Sequence, residues 1–223
     1  MSDAFPRAAV HRALADGLRS LDAAGAAPVD ALVDYLALLH RWNRAFNLSA
    51  VREPLAMVPR HVLDSLSALP YVEGAHLLDV GTGAGLPGIP LALGRPDLHV
   101  VLLDSNGKKT RFLRQAAADL PLANVEVVHD RLERWPTDRR FDTVIARALT
   151  RLDGLVRDSG RLLASGGQIL AMKGRFDPGA ETGELETGWT YRVHPLRVHG
   201  LDAERCLVRV RRTGEISTGE THG

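Results

Sequence analysis

The sequence predicts an α/β fold, a mostly parallel sheet flanked by helices and preceded by an N-terminal helical extension. Three observations carry this. Short runs that are apolar throughout, such as "HLLDV" and "VVLLD", alternate with helical stretches, the pattern of a parallel sheet covered on both faces. No strand-like run precedes residue 76, and the amphipathic segments before it form the extension. Finally, the first strand is followed by a turn with four glycines in eight residues, Gly81, Gly83, Gly85 and Gly88.

The elements follow in order. "PVDALVDYLALLHRWNRAF" starts at Pro28 and repeats apolar residues at Leu32, Leu36, Leu39 and Trp42, close to the helical period. "EPLAMVPRHVLDSLSALP" is a second amphipathic segment, interrupted at Pro59, and the polar "NRAFNLSAVR" loop joins the two. Strands are then expected at 76–80, 98–104, 125–130, 141–148 and 167–174, with helices at 86–94, 107–119 and about 150–164. "WTYRVHPLRV" and "ERCLVRVRR" have no helix between them, which predicts an antiparallel hairpin at the end of the sheet. Residues 175–188 read as a solvent loop. The division is an extension at 1–72, a ligand-binding domain at 73–212 and a flexible tail at 213–223.

Composition narrows the function. Of 223 residues, 45% are hydrophobic and 25% charged, as in a globular protein with a substantial core. The formal net charge of +1 excludes a general basic field, so any nucleic-acid contact must be local. One cysteine, Cys206, rules out an intrachain disulfide and a zinc cluster, and its setting in "CLVRV" reads as a packed strand position. The opening residues lack the apolar core of a signal peptide, and no run approaches the ~18–20 apolar residues of a membrane span. A cytoplasmic protein without metal or membrane partner is expected.

The glycine turn admits three ligands. A phosphate-binding P-loop needs Lys after its last glycine, but Ile89 follows Gly88. Gly83, Gly85 and Gly88 match the dinucleotide spacing, yet Asp79 would repel a pyrophosphate, and Pro87 removes an N–H that could hold one. S-adenosylmethionine (SAM) carries a sulfonium and an amino group. Asp79 suits these cations, directly or through water, while Gly81 and Gly83 let the backbone come close. A tight turn without ligand is the alternative. Asp104, ending the second strand, is placed to bind the ribose hydroxyls of an adenosine, or else to cap the next helix.

Beyond the glycines, "LLDVGTGAGLPGIPLAL…RPDLHVVLLDSNGKKTRFLRQ" strongly resembles the bacterial small-subunit ribosomal RNA methyltransferase G family, also called glucose-inhibited division protein B. "WNRAFNLSAV", "RHVLDSL", "FDTVIARAL" and "AMKG" extend the resemblance over about residues 30–175, with Ser49 where the family usually has Thr. The resemblance implies a class I SAM-dependent methyltransferase (Rossmann-like) fold with a seven-stranded sheet whose last strand is antiparallel. It implies methylation of N7 of one guanine in 16S rRNA near the decoding centre, with S-adenosylhomocysteine as product. By motif position it implies SAM contacts at Gly81, Leu86, Asp104, Ser105, Asn106, Leu132, Glu133 and Arg147. Another RNA, a protein or a small molecule as acceptor, or a non-catalytic SAM sensor, are the competing functions; a nicotinamide-linked oxidoreductase is a further one.

Guanine N7 has a free lone pair and no proton, so no general base is assigned, and orientation should dominate. Positioning candidates are Arg147, Lys173 and Asn47. The RNA would be held by Arg60, His61, Lys108, Lys109, Arg111 and Lys173, with Arg41, Arg44, Arg114, Arg209 and Arg211 also available. Asn43 and Asn47 read as a polar rim for the guanine, or Asn47 as a turn cap. Asp64 is one turn from Arg60 and could pair with it. A monomer acting on 16S rRNA or the small ribosomal subunit is expected, and Asp104→Ala should weaken SAM binding with little loss of fold.

Overall fold

A computed structural model describes residues 4–21, 27–147, 151–183, 185 and 187–214. The tail expected at 213–223 therefore lies, from residue 215 on, outside the described residues. Helix α1 (Arg7–Leu18) buries Val10, Leu14, Gly17 and Leu18, one helical stripe. Helix α2 (Val29–Phe46) buries Leu32, Tyr35, Leu36, Leu39 and Asn43, and stops where Asn47 turns left-handed (φ 49°), its N–H bonded to the Asn43 carbonyl. Asn tolerates that conformation better than most residues and here serves as the helix cap.

The next segment holds the first surprise. Pro59 does not end the helix. Short helix α3 (Pro54–Met57) widens into a π turn over Val58–Leu63, and α4 (Asp64–Leu66) continues from it. Proline lacks the N–H for the normal bond, and its ring crowds the carbonyl four residues back. The Leu55 carbonyl that Pro59 cannot serve takes the Val58 N–H instead, and beyond the proline the ladder widens, the Asp64 N–H reaching the Pro59 carbonyl, five residues back.

Seven strands follow: β1 (His76–Val80), β2 (His99–Asp104), β3 (Val125–His129), β4 (Phe141–Arg147), β5 (Leu163–Lys173), β6 (Trp189–Leu196) and β7 (Arg205–Arg212), in the order β3-β2-β1-β4-β5-β7-β6. β1 to β5 pair in parallel, while β7 runs antiparallel to both β5 and β6. The terminal hairpin thus does not simply append to the sheet, because β7 slides between β5 and β6. Helices α5 (Gly88–Gly94), α6 (Gly107–Asp119) and α7 (Leu152–Ser159) occupy the crossovers. A helix forms within the predicted solvent loop, α8 (Pro178–Glu181), capped by Asp177. β5 begins four residues earlier than its apolar run indicates, with a register slip opposite Phe141–Thr143.

Alternation sorts the sheet residues between two cores. Leu77, Val100, Leu102, Ile145 and Leu170 face a cluster shared with α1, α2, α5 and α6; Leu78, Val101, Leu103, Val144 and Ile169 face one shared with α7. The N-terminal helices therefore share a continuous core with one sheet face. The junction after them is stitched to the far strands. Glu73 accepts from both Arg209 and Arg211 of β7, and Gln168 donates to the Tyr71 carbonyl at 2.6 Å. Arg209 and Arg211 do share a face, but that face meets Glu73, so these mostly buried side chains are engaged within the fold and are not placed as the RNA holders their spacing indicated. No helix among the described residues is long and apolar enough to cross a membrane.

Candidate active site

The glycine turn sits at the C-terminal end of β1. Gly81 (φ 64°) and Gly83 (φ 63°) are left-handed, which explains the residue type. A Cβ on Gly83 would meet nothing closer than 3.8 Å, so the missing side chain leaves open space for a ligand. At Gly88 a Cβ would fall 2.3 Å from Leu102 and 2.7 Å from Asp79, so that glycine serves packing.

Asp79 lies beneath the turn. It is fully buried; its Oδ2 accepts from the Thr82 hydroxyl at 2.6 Å and the Gly88 N–H at 2.8 Å. The carboxylate lines neither cavity beside the turn, so it is not placed to touch a cation bound there directly. A short acid after buried β1 is drawn to the turn's own donors instead. Tyr35 of α2 braces the turn from the other side, its hydroxyl donating to the Ala84 carbonyl at 2.8 Å.

Burial raises the Asp79 pKa to about 7, against the lowering by Thr82, the Gly88 N–H and Arg147. Because the folded value exceeds the unfolded one, the folded chain holds a proton there that the unfolded chain has lost between about pH 4 and 7, and stability falls as pH rises through that window. Asp79→Asn removes this loss. The variant's melting temperature relative to the parent should rise from about pH 5 to about pH 8; a constant difference would show a carboxylate already ionised.

Two cavities meet at Gly81. One, about 270 Å³, is lined by Leu103, Asp104, Ser105, Leu132, Glu133 and Leu155. The other, about 450 Å³, is lined by Thr82, Gly83, Leu86, Lys109, Arg147 and Lys173, among others, and reaches the extension at Ser49 and Asp64. Asp104 stands between them, its Oδ2 accepting from the Gly83 N–H at 2.9 Å and its Oδ1 from the Asn106 N–H at 2.8 Å. Asn106, not Asp104, caps α6, its side-chain oxygen accepting from Lys108 and Lys109.

The π turn builds the far wall of the larger cavity. With the Asp64 N–H diverted to Pro59, the Arg60 carbonyl is released and takes the Arg147 guanidinium at 3.0 Å and His61 Nδ1 at 3.0 Å. A carbonyl only accepts, so Nδ1 carries the proton, leaving Nε2 to accept from the Ser49 hydroxyl at 2.7 Å. Burial and nearby Arg147 push the His61 pKa down to about 4. Asp64 does not pair with Arg60: its carboxylate bridges Arg147 at 3.2 Å and Arg205 at 3.1 Å.

The model of the family described as rRNA small subunit methyltransferase G matches residues 29–208. This chain belongs to that family. It is 51% identical over 215 residues to the ribosomal RNA small subunit methyltransferase G of Xanthomonas euvesicatoria pv. vesicatoria, covering 95% of this chain and all of the relative. The protein of that name from Stenotrophomonas maltophilia is 52% identical over 206 residues, covering 91% of this chain and 95% of the relative. Among solved structures the chain is similar to the O-methyltransferase TomG from Streptomyces achromogenes in complex with SAM (TM-score 0.56, 18% identity, 81% of this chain and 90% of that one). It is also similar to TrmN from Thermus thermophilus (TM-score 0.55, 20% identity, 78% and 52%). At these identities the likeness is one of fold, the class I SAM-dependent methyltransferase fold.

As a member of the methyltransferase G family the chain uses SAM as methyl donor, and the donor set fits it. The smaller cavity offers apolar walls for a base and an acid for a diol; Gly83 opens the middle; Lys109 and Arg147 bring cations to the other end. Gly81, Gly83, Leu86, Asp104, Ser105, Leu132, Glu133 and Arg147 all border these cavities. Asn106 borders neither, its side chain being spent on the α6 cap.

The RNA candidates divide. Arg60, Lys108 and Arg111 are exposed. Lys109 turns inward, 3.7 Å from Asp104. Lys173 is held by Glu181 of α8 at 2.5 Å. His61 is buried and neutral, so it offers a phosphate no charge. Asn47 is exposed and bonded to Arg52, whereas buried Asn43 shapes the loop by binding the Ser49 and Val51 carbonyls and the Ser49 N–H. Sequence reasoning missed Tyr35, Thr82 and Arg205. Tyr35 was detectable only as one more residue on the buried stripe of α2.

Proposed function

We propose that the protein transfers the methyl group of SAM to N7 of one guanine in the small-subunit rRNA. The observation that carries this is the meeting of the two cavities at Gly81. A ligand spanning them places its adenosine against Leu132 and Asp104 and its methyl-bearing end toward Ser49, Asp64 and Arg147. SAM supplies an electrophilic methyl group there. The chain's own task is orientation, since N7 needs no deprotonation and the gain comes from in-line placement.

Asp104 holds the ribose, and Lys109 lies nearest the open side of Gly83 to meet the donor's carboxylate. Arg147, fixed by Asp64 and the Arg60 carbonyl, presents its remaining N–H groups to guanine O6. Asp64 offsets the positive charge of Arg147 and Arg205, which would otherwise oppose the cationic purine that forms. The protein acts as a monomer on 16S rRNA or on the assembled small subunit.

The test is incubation with labelled SAM and small subunits or 16S rRNA lacking the modification, with the product mapped by mass spectrometry. Label on one guanine, in a nucleotide that aniline cleaves after borohydride reduction as it does 7-methylguanosine, is the expected result. Label elsewhere, or none, sinks the proposal.

A further inference from the structure

An uncovered apolar strip leaves the active-site cavity along the sheet edge. On β6, Tyr191, Val193 and Pro195 share a face by alternation, and Tyr191 is 39% and Val193 41% exposed. The strand beside them, β7, is buried on this face through Val208 and Val210, but the covering layer runs out toward β6. Phe176 meets the Tyr191 ring edge-on at 5.6 Å.

A hollow of about 500 Å³ lies here, lined by Phe176, Val193 and Pro195 with Arg175 and Arg197. It shares Gly174, Leu196, Arg205 and Cys206 with the active-site cavity, so the two adjoin across these residues. Arg175 and Arg197 are exposed, and neither forms an ion pair among the described residues; Glu204 is the one acid in the lining.

Aromatic faces beside uncompensated guanidinium groups are what an unpaired RNA strand requires: surfaces for bases and charges for phosphates. We propose that this groove holds the single-stranded nucleotides flanking the target guanine, phosphates meeting Arg175 and Arg197 and a base stacking on exposed Tyr191, which lies outside the hollow's own lining and borders it through Phe176. The proposal rests on the rRNA reading above and adds where the strand runs. A protein partner fits less well, because the apolar strip is narrow and its charge is left unbalanced.

Two measurements test it on intact small subunits lacking the modification. Arg175→Ala combined with Arg197→Ala should raise KM for the subunit about tenfold and reduce the slope of log KM against log salt by about 1.4, about 0.7 for each of the two lost phosphate contacts. The kcat and SAM affinity should stay at parental values. Unchanged KM and salt dependence would overturn the proposal. Separately, Tyr191 replaced by a benzophenone amino acid should crosslink on illumination to rRNA within a few nucleotides of the methylated guanine. A crosslink to a ribosomal protein, or to distant RNA, would overturn it as well. If the parent methylates no guanine, the activity reading fails, and a crosslink to rRNA rather than to a ribosomal protein still decides whether the groove holds RNA.

Discussion

Asp64→Asn should slow methyl transfer to rRNA by about a hundredfold while leaving SAM affinity nearly unchanged. The carboxylate is 5% exposed and lies between two guanidinium groups that are themselves 22% and 24% exposed. Asparagine keeps the shape but offers one acceptor where two donors arrive, and turns its NH2 toward the other. Two cations then face each other without a counter-charge, which should cost about 2 kcal/mol after allowance for their partial exposure. That corresponds to a fall in melting temperature of about 4–8 °C for a chain of this size. Asp64 acts as a positioning residue, so single-turnover rates on rRNA should fall while calorimetric SAM binding holds. Parental turnover in the variant would show that Arg147 needs no such anchor.

Asp104→Ala should weaken SAM binding by about a hundredfold, through the loss of charge-assisted bonds to the ribose worth about 1.5–3 kcal/mol each. The structure revises the second half of the sequence-based expectation, that the fold would hardly notice. The same carboxylate holds the N–H groups of Gly83 and Asn106, so both the glycine turn and the start of α6 lose an anchor. About 1–2 kcal/mol of stability should go with it, water replacing the lost acceptor only in part. Titration calorimetry with SAM and S-adenosylhomocysteine, alongside melting curves, separates the two losses. Parental affinity would remove Asp104 from the ribose.

What could be read from the sequence was local. Helix α6 occupies residues 107–119 as its pattern indicates, because an Asn cap at its start and four apolar or small inward positions define it without help from elsewhere. The inner parallel strands β1, β2 and β4 were legible because burial on both faces leaves continuous apolar runs. What escaped depends on partners far along the chain. Asp79, an acid after a strand, reads as a ligand until the Thr82 hydroxyl and Gly88 N–H are seen to saturate one of its oxygens. Arg209 and Arg211 read as surface cations because Glu73 is 136 and 138 residues away. The π turn was invisible because apolar spacing marks faces and says nothing of which carbonyl an N–H selects. That choice places Arg147.

The position of β7 inside the sheet bears on how the chain is made. As it emerges during synthesis, β5 keeps an open edge of backbone donors and acceptors until residues 205–212 arrive to fill it. β6 is made before β7 yet pairs with the sheet through it. The site's last wall, Arg205 with Asp64, closes in the same event. A chain stalled before residue 205 should therefore have its glycine turn in place, no finished pocket, and an adhesive strand exposed to its neighbours.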